Sequence, residues 1–360
     1  VSNGANFKAG SYNLSENGPV GYSASDWVCI GGSQQGSDVI TLLPGDSVTC
    51  TISNDDIEPA LTLVKQVVNN NGGTAVAAEW TLTASGPAGF SGSGPSVTNG
   101  AAFQAGTYNL SENGPSGYEA SAWSCDGGRQ VDADTVTVEP GQSVTCIIIN
   151  DDEGPGLTLI KQVVNNDGGR AAPSDWTLTA TGPAGFSGAG PSVSNPAGFI
   201  AGSYDLSETG PEGYTASAWQ CVGVSQEDDD TITLGPGQSA TCTISNDDIE
   251  PTLTLVKEVI NSNGGSATAT DWSLMAAGPA GFSGPGPSVD SPSDFLAGTY
   301  DLSESPGPEG YTGSAWICVG SSMVDSDTVS VAPGEDTVCT ITNRDTGFSP
   351  LIFRDGFERE

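Results

Sequence analysis

The chain has 360 residues and 36% apolar content in short, evenly spaced runs, which is enough to bury several small cores. Nine Lys and Arg against 44 Asp and Glu give a formal charge of −35. That balance excludes nucleic acid and anionic membrane as partners, since both are bound by releasing counterions to basic side chains. His is absent, which excludes a Ser–His–Asp triad and an imidazole-held metal, and no apolar run is long enough to span a membrane.

Residues 1–57 carry Gly10-Ser-Tyr-Asn-Leu-Ser-Glu16, Trp27-Val-Cys29, Val48-Thr-Cys50 and Asn54. A full unit begins at residue 58. Leu61-Thr-Leu-Val-Lys-Gln-Val-Val predicts a first strand, Asn71-Gly-Gly a hairpin turn that needs positive φ, and Trp80 heads a second strand. Gly86-Pro-Ala-Gly-Phe-Ser-Gly, Ala105-Gly-Thr-Tyr-Asn-Leu-Ser-Glu112, Trp123-Ser-Cys125 and Val144-Thr-Cys146 follow, and the unit closes at Asn150. The same order returns from Leu157 and from Leu253, a period of 96 residues. Every run is short, alternating and bounded by Gly, Pro, Asn or Asp, with no helical period. About seven strands per unit predict an all-β chain of tandem Greek-key sandwiches.

The expected domains are residues 58–153, 154–250 and 251–345, followed by a tail at 346–360. Residues 1–57 match only the second half of a unit. They read as part of a longer array or as a half-domain completed by a neighbouring molecule's strands. The joints Asp55-Asp-Ile-Glu-Pro59, Asp151-Asp-Glu-Gly-Pro155 and Asp247-Asp-Ile-Glu-Pro251 are short, acidic and proline-bearing, so stiff, extended connections in a rod are expected. Asp55, Asp56 and Glu58, then Asp151, Asp152 and Glu153, then Asp247, Asp248 and Glu250, are candidate calcium ligands. A solvated acidic linker is the other reading. The tail, with Phe348, Leu351, Ile352, Phe353 and Phe357, would serve as an interaction strand or attachment end.

Eight cysteines fall as Cys29/Cys50, Cys125/Cys146, Cys221/Cys242 and Cys318/Cys339, each pair 21 residues apart, which favours structural disulfides within a unit and an oxidising, extracellular setting. Closing a loop of this size stabilises by about 3 kcal/mol in the chain-entropy model.

Alternation along the strands places three polar side chains on the apolar face. Lys65 follows Leu61 and Leu63, Glu112 follows Tyr108 and Leu110, and Asn150 follows Val144, Cys146 and Ile148. The trio recurs as Lys161, Glu208 and Asn246, and as Lys257, Glu304 and Asn343. Three of only four lysines stand at this position. A lone buried charge is costly, so the three must meet. Desolvation makes Lys a nucleophile, and a protonated Glu can polarise the Asn carboxamide and carry protons, which yields a Lys–Asn amide and ammonia. A buried Lys–Glu ion pair bonded to Asn is the alternative. Residues 1–57 hold Glu16 and Asn54 but no such Lys.

Lys in the first strand, Tyr108-x-Leu-x-Glu112 with Pro115-x-Gly-Tyr118, and the closing Asn150 resemble the CnaB-type or SpaA-like prealbumin-fold domains of bacterial surface proteins and pilins. The resemblance covers nearly all the chain except the tail. It implies Lys–Asn isopeptide bonds promoted by Glu112, Glu208 and Glu304. The amide-forming reaction itself needs no cofactor, and no catalytic motif for an external substrate is present. The expected role is a secreted, covalently stapled stalk or fibre whose partners are copies of itself or cell-surface components. Alternatives are a head-to-tail filament subunit completed by its neighbour, and a ligand-binding adhesin.

Overall fold

The computed structural model describes residues 2–347 and is almost entirely β-strand. The tail from Phe348 onward, together with the attachment role expected of it, lies outside the described residues. The chain divides into two compact units, Val1–Pro155 with Gly235–Gln238, and Gly156–Leu234 with Ser239–Glu360.

Each complete repeat is a sandwich of two sheets. In the repeat that starts at residue 58, one sheet contains the lysine strand Ala60–Val68, flanked by Ser96–Thr98 on one side and the closing strand Ser143–Asp152 on the other. Tyr118–Ala120 and the cysteine strand Ser124–Asp126 pair with the outer edge of the closing strand. The facing sheet holds Phe90–Ser93, Thr81–Ser85, the glutamate strand Gly106–Asn113 and Thr135–Val138. The other two repeats keep this order, with lysine strands Gly156–Val164 and Thr252–Ile260 and closing strands Ser239–Asp248 and Asp336–Asp345.

The first and last strands of each repeat are neighbours and run parallel, with Lys65 opposite Ile148 and Val67 opposite Asn150. The repeat has more strands than the seven expected, because two- and three-residue ladders such as Arg129–Gln130 are too short to carry a periodic signal. One 3₁₀ turn, Ala77–Glu79, precedes Trp80, with the Glu79 carboxylate accepting the Val76 N–H at 2.8 Å.

The cores follow the alternation. Leu61, Leu63, Leu82, Tyr108, Leu110, Trp123, Val136, Val138, Val144 and Ile148 are all buried in one cluster. In residues 2–57 the matching side chains Tyr12, Leu14, Trp27, Ile40, Leu42 and Val48 line an open groove of about 770 Å³. Residues 2–57 contain counterparts of the closing strand and its two short outer strands, but none of the lysine strand and its Ser96–Thr98 neighbour, which help cover these side chains in a complete repeat.

Linker residues are pinned rather than free. In the first unit Ile57 donates its N–H to the Gly21 carbonyl at 2.8 Å and accepts from Gly141 N–H at 2.7 Å. In the second unit Ile249 does the same with Gly213 at 2.9 Å and Gly334 at 2.7 Å. Gly213 has φ +79°, and a Cβ there would stand 2.3 Å from the Pro333 carbonyl oxygen, so this contact requires glycine.

Candidate functional site

Burial decides the chemistry of the inward-pointing polar residues. Lys65, Lys161 and Lys257 are 2–3% exposed, as are Asn150 and Asn343, with Asn246 at 4%. The lysine arrives from one strand and the asparagine from its parallel neighbour, while the glutamate reaches across from the opposite sheet. All three members of each trio meet. Lys65 Nζ lies 2.8 Å from Glu112 Oε2 and donates to Asn150 Oδ1. Lys161 Nζ lies 2.8 Å from Glu208 Oε2 and donates to Asn246 Oδ1 at 2.5 Å.

The pair Lys257–Glu304 is tighter still, and there Asn343 Nδ2 donates to Glu304 Oε1 at 2.9 Å. Glu304 therefore bridges amine and carboxamide. In the two preceding repeats the lysine aims at the carboxamide oxygen instead, and Glu112 Oε2 and Glu208 Oε2 face the ammonium at ion-pair distance without an aligned hydrogen bond. In the repeat of Lys257, Asn343 Oδ1 is the atom left without a donor. Burial pushes each of the three lysine amines below its ordinary range, and the adjacent glutamate carboxylate offsets this only in part.

Aromatic side chains close the site. Trp80 lies under the Lys65 amine, which stands 4.8 Å from the ring centroid, and Tyr118 packs edge-on against Trp80 at 5.2 Å. The Tyr118 hydroxyl donates to Asn69 Oδ1 at 2.8 Å and accepts from Ala75 N–H at 3.0 Å, tying the aromatic pair to the turn after the lysine strand. Trp176 with Tyr214 and Trp272 with Tyr311 repeat the arrangement. The indole was legible in the sequence only as a strand-heading residue; its recurrence one unit apart, at a fixed distance from each lysine, was the available signal.

All four cysteine pairs are bonded, Cys29 to Cys50, Cys125 to Cys146, Cys221 to Cys242 and Cys318 to Cys339, with Cα–Cα separations of 4.0 Å. The two ends of a pair differ in a way that equal spacing does not convey. In each complete repeat the second cysteine, Cys146, Cys242 or Cys339, is fully buried in the core, while its partner Cys125, Cys221 or Cys318 is only half-buried. The reason is strand position: Cys146, Cys242 and Cys339 lie on the inner face of the central closing strand, whereas their partners lie on a short outer strand. In residues 2–57 both Cys29 and Cys50 are half-buried, where the strand carrying Cys50 has no lysine strand beside it. Cys146, Cys242 and Cys339 also share strand and face with Asn150, Asn246 and Asn343. The closing strand is thus held to the cysteine strand on one side and meets the lysine on the other.

The joint acids divide. Asp55, Asp56, Asp151 and Asp247 are exposed, as are Glu153 and Glu250, but Asp152 and Asp248 are buried. Their carboxylates accept backbone N–H groups inside their own repeat, because strand alternation turns them inward, two residues after the asparagine. Glu58 Oε1 is likewise engaged, accepting the Phe103 N–H at 3.0 Å. Among the described residues no three acidic or cysteine side chains converge as a metal site. In residues 2–57, Asn54 Nδ2 donates to Glu16 Oε2 at 3.1 Å, and both residues are exposed.

A prealbumin-like fold domain model (SpaA_2) matches four successive segments, residues 1–52, 56–148, 152–244 and 248–341. The chain belongs to this family of prealbumin-like repeat domains. Among solved structures it is similar to the Bacillus anthracis TIE protein, with 15% identity, 95% of this chain and 69% of that one covered, and a TM-score of 0.46. It is also similar to the B1B2 repeats of the Staphylococcus aureus collagen-binding protein, with 11% identity, 91% and 95% covered and a TM-score of 0.21. The major pilin of Streptococcus pyogenes matches with 13% identity, 53% and 98% covered and a TM-score of 0.28. A comparison with proteins of curated function finds no match.

Proposed function

We propose that this chain is a secreted structural module of a cell-surface stalk or fibre, with one Lys–Asn isopeptide bond in each complete repeat. The observation that carries the reading is the convergence of a buried lysine, a buried asparagine and a half-buried glutamate three times over, in a chain with only four lysines. Disulfides agree with an extracellular setting.

The chemistry follows from the contacts. The lysine amine passes a proton to the glutamate and its lone pair attacks Cγ of the asparagine. The glutamate returns the proton to Nδ2, the C–Nδ2 bond breaks, and ammonia leaves as the new Nζ–Cγ amide forms. The bridge made by Glu304 between Lys257 and Asn343 is the arrangement this transfer needs. Each site turns over once, so the chain is not an enzyme for an outside substrate.

Parallel first and last strands explain why such a bond suits a load-bearing role. Tension applied through the two joints pulls the lysine strand and the closing strand in opposite directions along their length. A bond from Lys65 to Asn150 carries that load covalently between the two strands the pull would separate.

The test is the intact mass of the reduced, denatured protein. Loss of one ammonia per complete repeat, with Lys65–Asn150, Lys161–Asn246 and Lys257–Asn343 linked peptides in a digest, supports the reading. A reduced mass equal to that of the sequence, with no ammonia lost, sinks it and leaves three buried polar clusters. Electron microscopy then separates a stalk from a filament subunit, since only the latter forms regular polymers from the purified chain.

A further inference from the structure

Another polar residue of each repeat is buried on the inner face of the closing strand, beside the asparagine of the trio. Asp152, Asp248 and Asp345 end the closing strands and are 2%, 3% and 7% exposed. Each stands two residues beyond the reactive asparagine, so both side chains point inward from one strand.

The carboxylate of Asp152 is filled by backbone donors. Oδ1 accepts from Asn70 at 2.7 Å and Asn71 at 2.9 Å, and Oδ2 accepts from Asn71 at 2.9 Å and Gly73 at 2.6 Å. Asp248 repeats this with Asn166, Asp167 and Gly169, and Asp345 with Ser262, Asn263 and Gly265. All these donors lie in the turn that follows the lysine strand. The clasp therefore joins the far end of the lysine strand to the far end of the closing strand, beyond the point where Lys and Asn meet.

We infer that Asp152, Asp248 and Asp345 are positioning residues for the cross-link: each clasp sets the axial register of the closing strand so that the asparagine Cγ stands in front of the lysine amine. This rests on the isopeptide reading above. Charge-assisted bonds from successive backbone N–H groups are strong and directional, and a displacement of one ångström at a reacting pair costs about a hundredfold in rate. The repeat of Lys257 offers independent support. There the residue before the aspartate has become Arg344, yet the aspartate and its backbone contacts persist. In residues 2–57, which lack the lysine strand and its turn, the matching Asp56 is exposed.

The experiment follows the fraction of each repeat cross-linked against time, by digest mass spectrometry, after cell-free synthesis of the full chain under oxidising conditions. Asp152→Asn places an amide Nδ2 against N–H donors and should slow formation of the Lys65–Asn150 link roughly tenfold or more. Repeats carrying Lys161 and Lys257 serve as internal controls at the wild-type rate. Should this variant fail to fold, Gly73→Ala is the second. It keeps the carboxylate but puts a Cβ 2.8 Å from Asp152 Oδ2 and 2.3 Å from the Tyr118 hydroxyl, and it is expected to slow the same link. Hydrogen exchange of the Lys65 strand, read by mass spectrometry, confirms folding of the variant repeat in each case. A residue that only stabilises the fold would lower the melting temperature and leave the rate in the folded repeat unchanged. A folded variant that links at the wild-type rate overturns this inference alone. Failure of the wild-type protein to lose ammonia overturns the cross-link reading and this inference together.

Discussion

Lys65 and Asn150 stand on adjacent parallel strands, 85 residues apart in sequence, with the lysine amine donating to the carboxamide oxygen. Both side chains are buried, and the Trp80 ring lies beneath the amine.

Removing the nucleophile should remove the tie. Lys65→Ala is expected to abolish one ammonia loss and leave the other two. Closing an 85-residue loop is worth about 4–5 kcal/mol in the chain-entropy model, so that repeat should be less stable by a comparable amount. Differential scanning calorimetry of the variant checks this. An unchanged transition would mean that the lysine contributes no cross-link.

Glu112→Gln keeps the shape but removes the proton carrier. General acid–base assistance contributes about 10²–10⁴ in rate, so the Lys65–Asn150 link should be missing or far slower while the sandwich still folds. Time-resolved digests, with the repeats of Glu208 and Glu304 as controls, read the difference. Normal linkage in this variant would remove the glutamate from the mechanism.

Trp80→Ala takes away a fully buried ring in contact with the amine. A loss of about 3–5 kcal/mol is expected from the cavity, and water entering beside Lys65 should return its amine toward the ordinary range and slow the link. Trp80→Phe, which keeps an aromatic face, should restore most of the rate. Urea unfolding and linkage kinetics give the two readouts separately.

An Asn150→Ala protein has an unlinked Lys65, and its stability should depend on pH in a definite direction. Burial holds the folded amine below its unfolded value, so the unfolded state binds more protons between the two. The penalty for burying the ammonium is complete below the folded value. It fades as pH rises through that value and is gone once pH passes the unfolded one. Relative to Asn150→Ala with Lys65→Met, stability should therefore increase with pH across that window. A flat difference would show that the ammonium is as well solvated folded as unfolded.

The second staple can be removed by itself. Cys125→Ala with Cys146→Ala opens a loop of 21 residues and should cost about 3 kcal/mol while leaving the Lys65–Asn150 mass deficit intact, since the lysine meets the closing strand on its other side. Loss of the deficit as well would show that the cysteine strand is needed to hold Asn150 in place.

Much of this molecule could be read from period-two alternation, which is local. Leu61, Leu63 and Lys65 must share a face whatever lies opposite, and so must Ile148 and Asn150. That is why the inward lysine, glutamate and asparagine, the paired cysteines and the tandem all-β organisation were legible from the chain alone. Alternation is silent about partners. Only the closed sandwich decided that the lysine and closing strands lie side by side and parallel, that Trp80 packs beneath the amine, and that Cys242 and Cys339 sink into the core while Cys221 and Cys318 stay near its rim. It also decided that Asp152, which reads as a linker acid, turns inward to bind a turn about 80 residues away. Such contacts depend on which strands pair once loop-closure entropy has been overcome, and no local window contains that information.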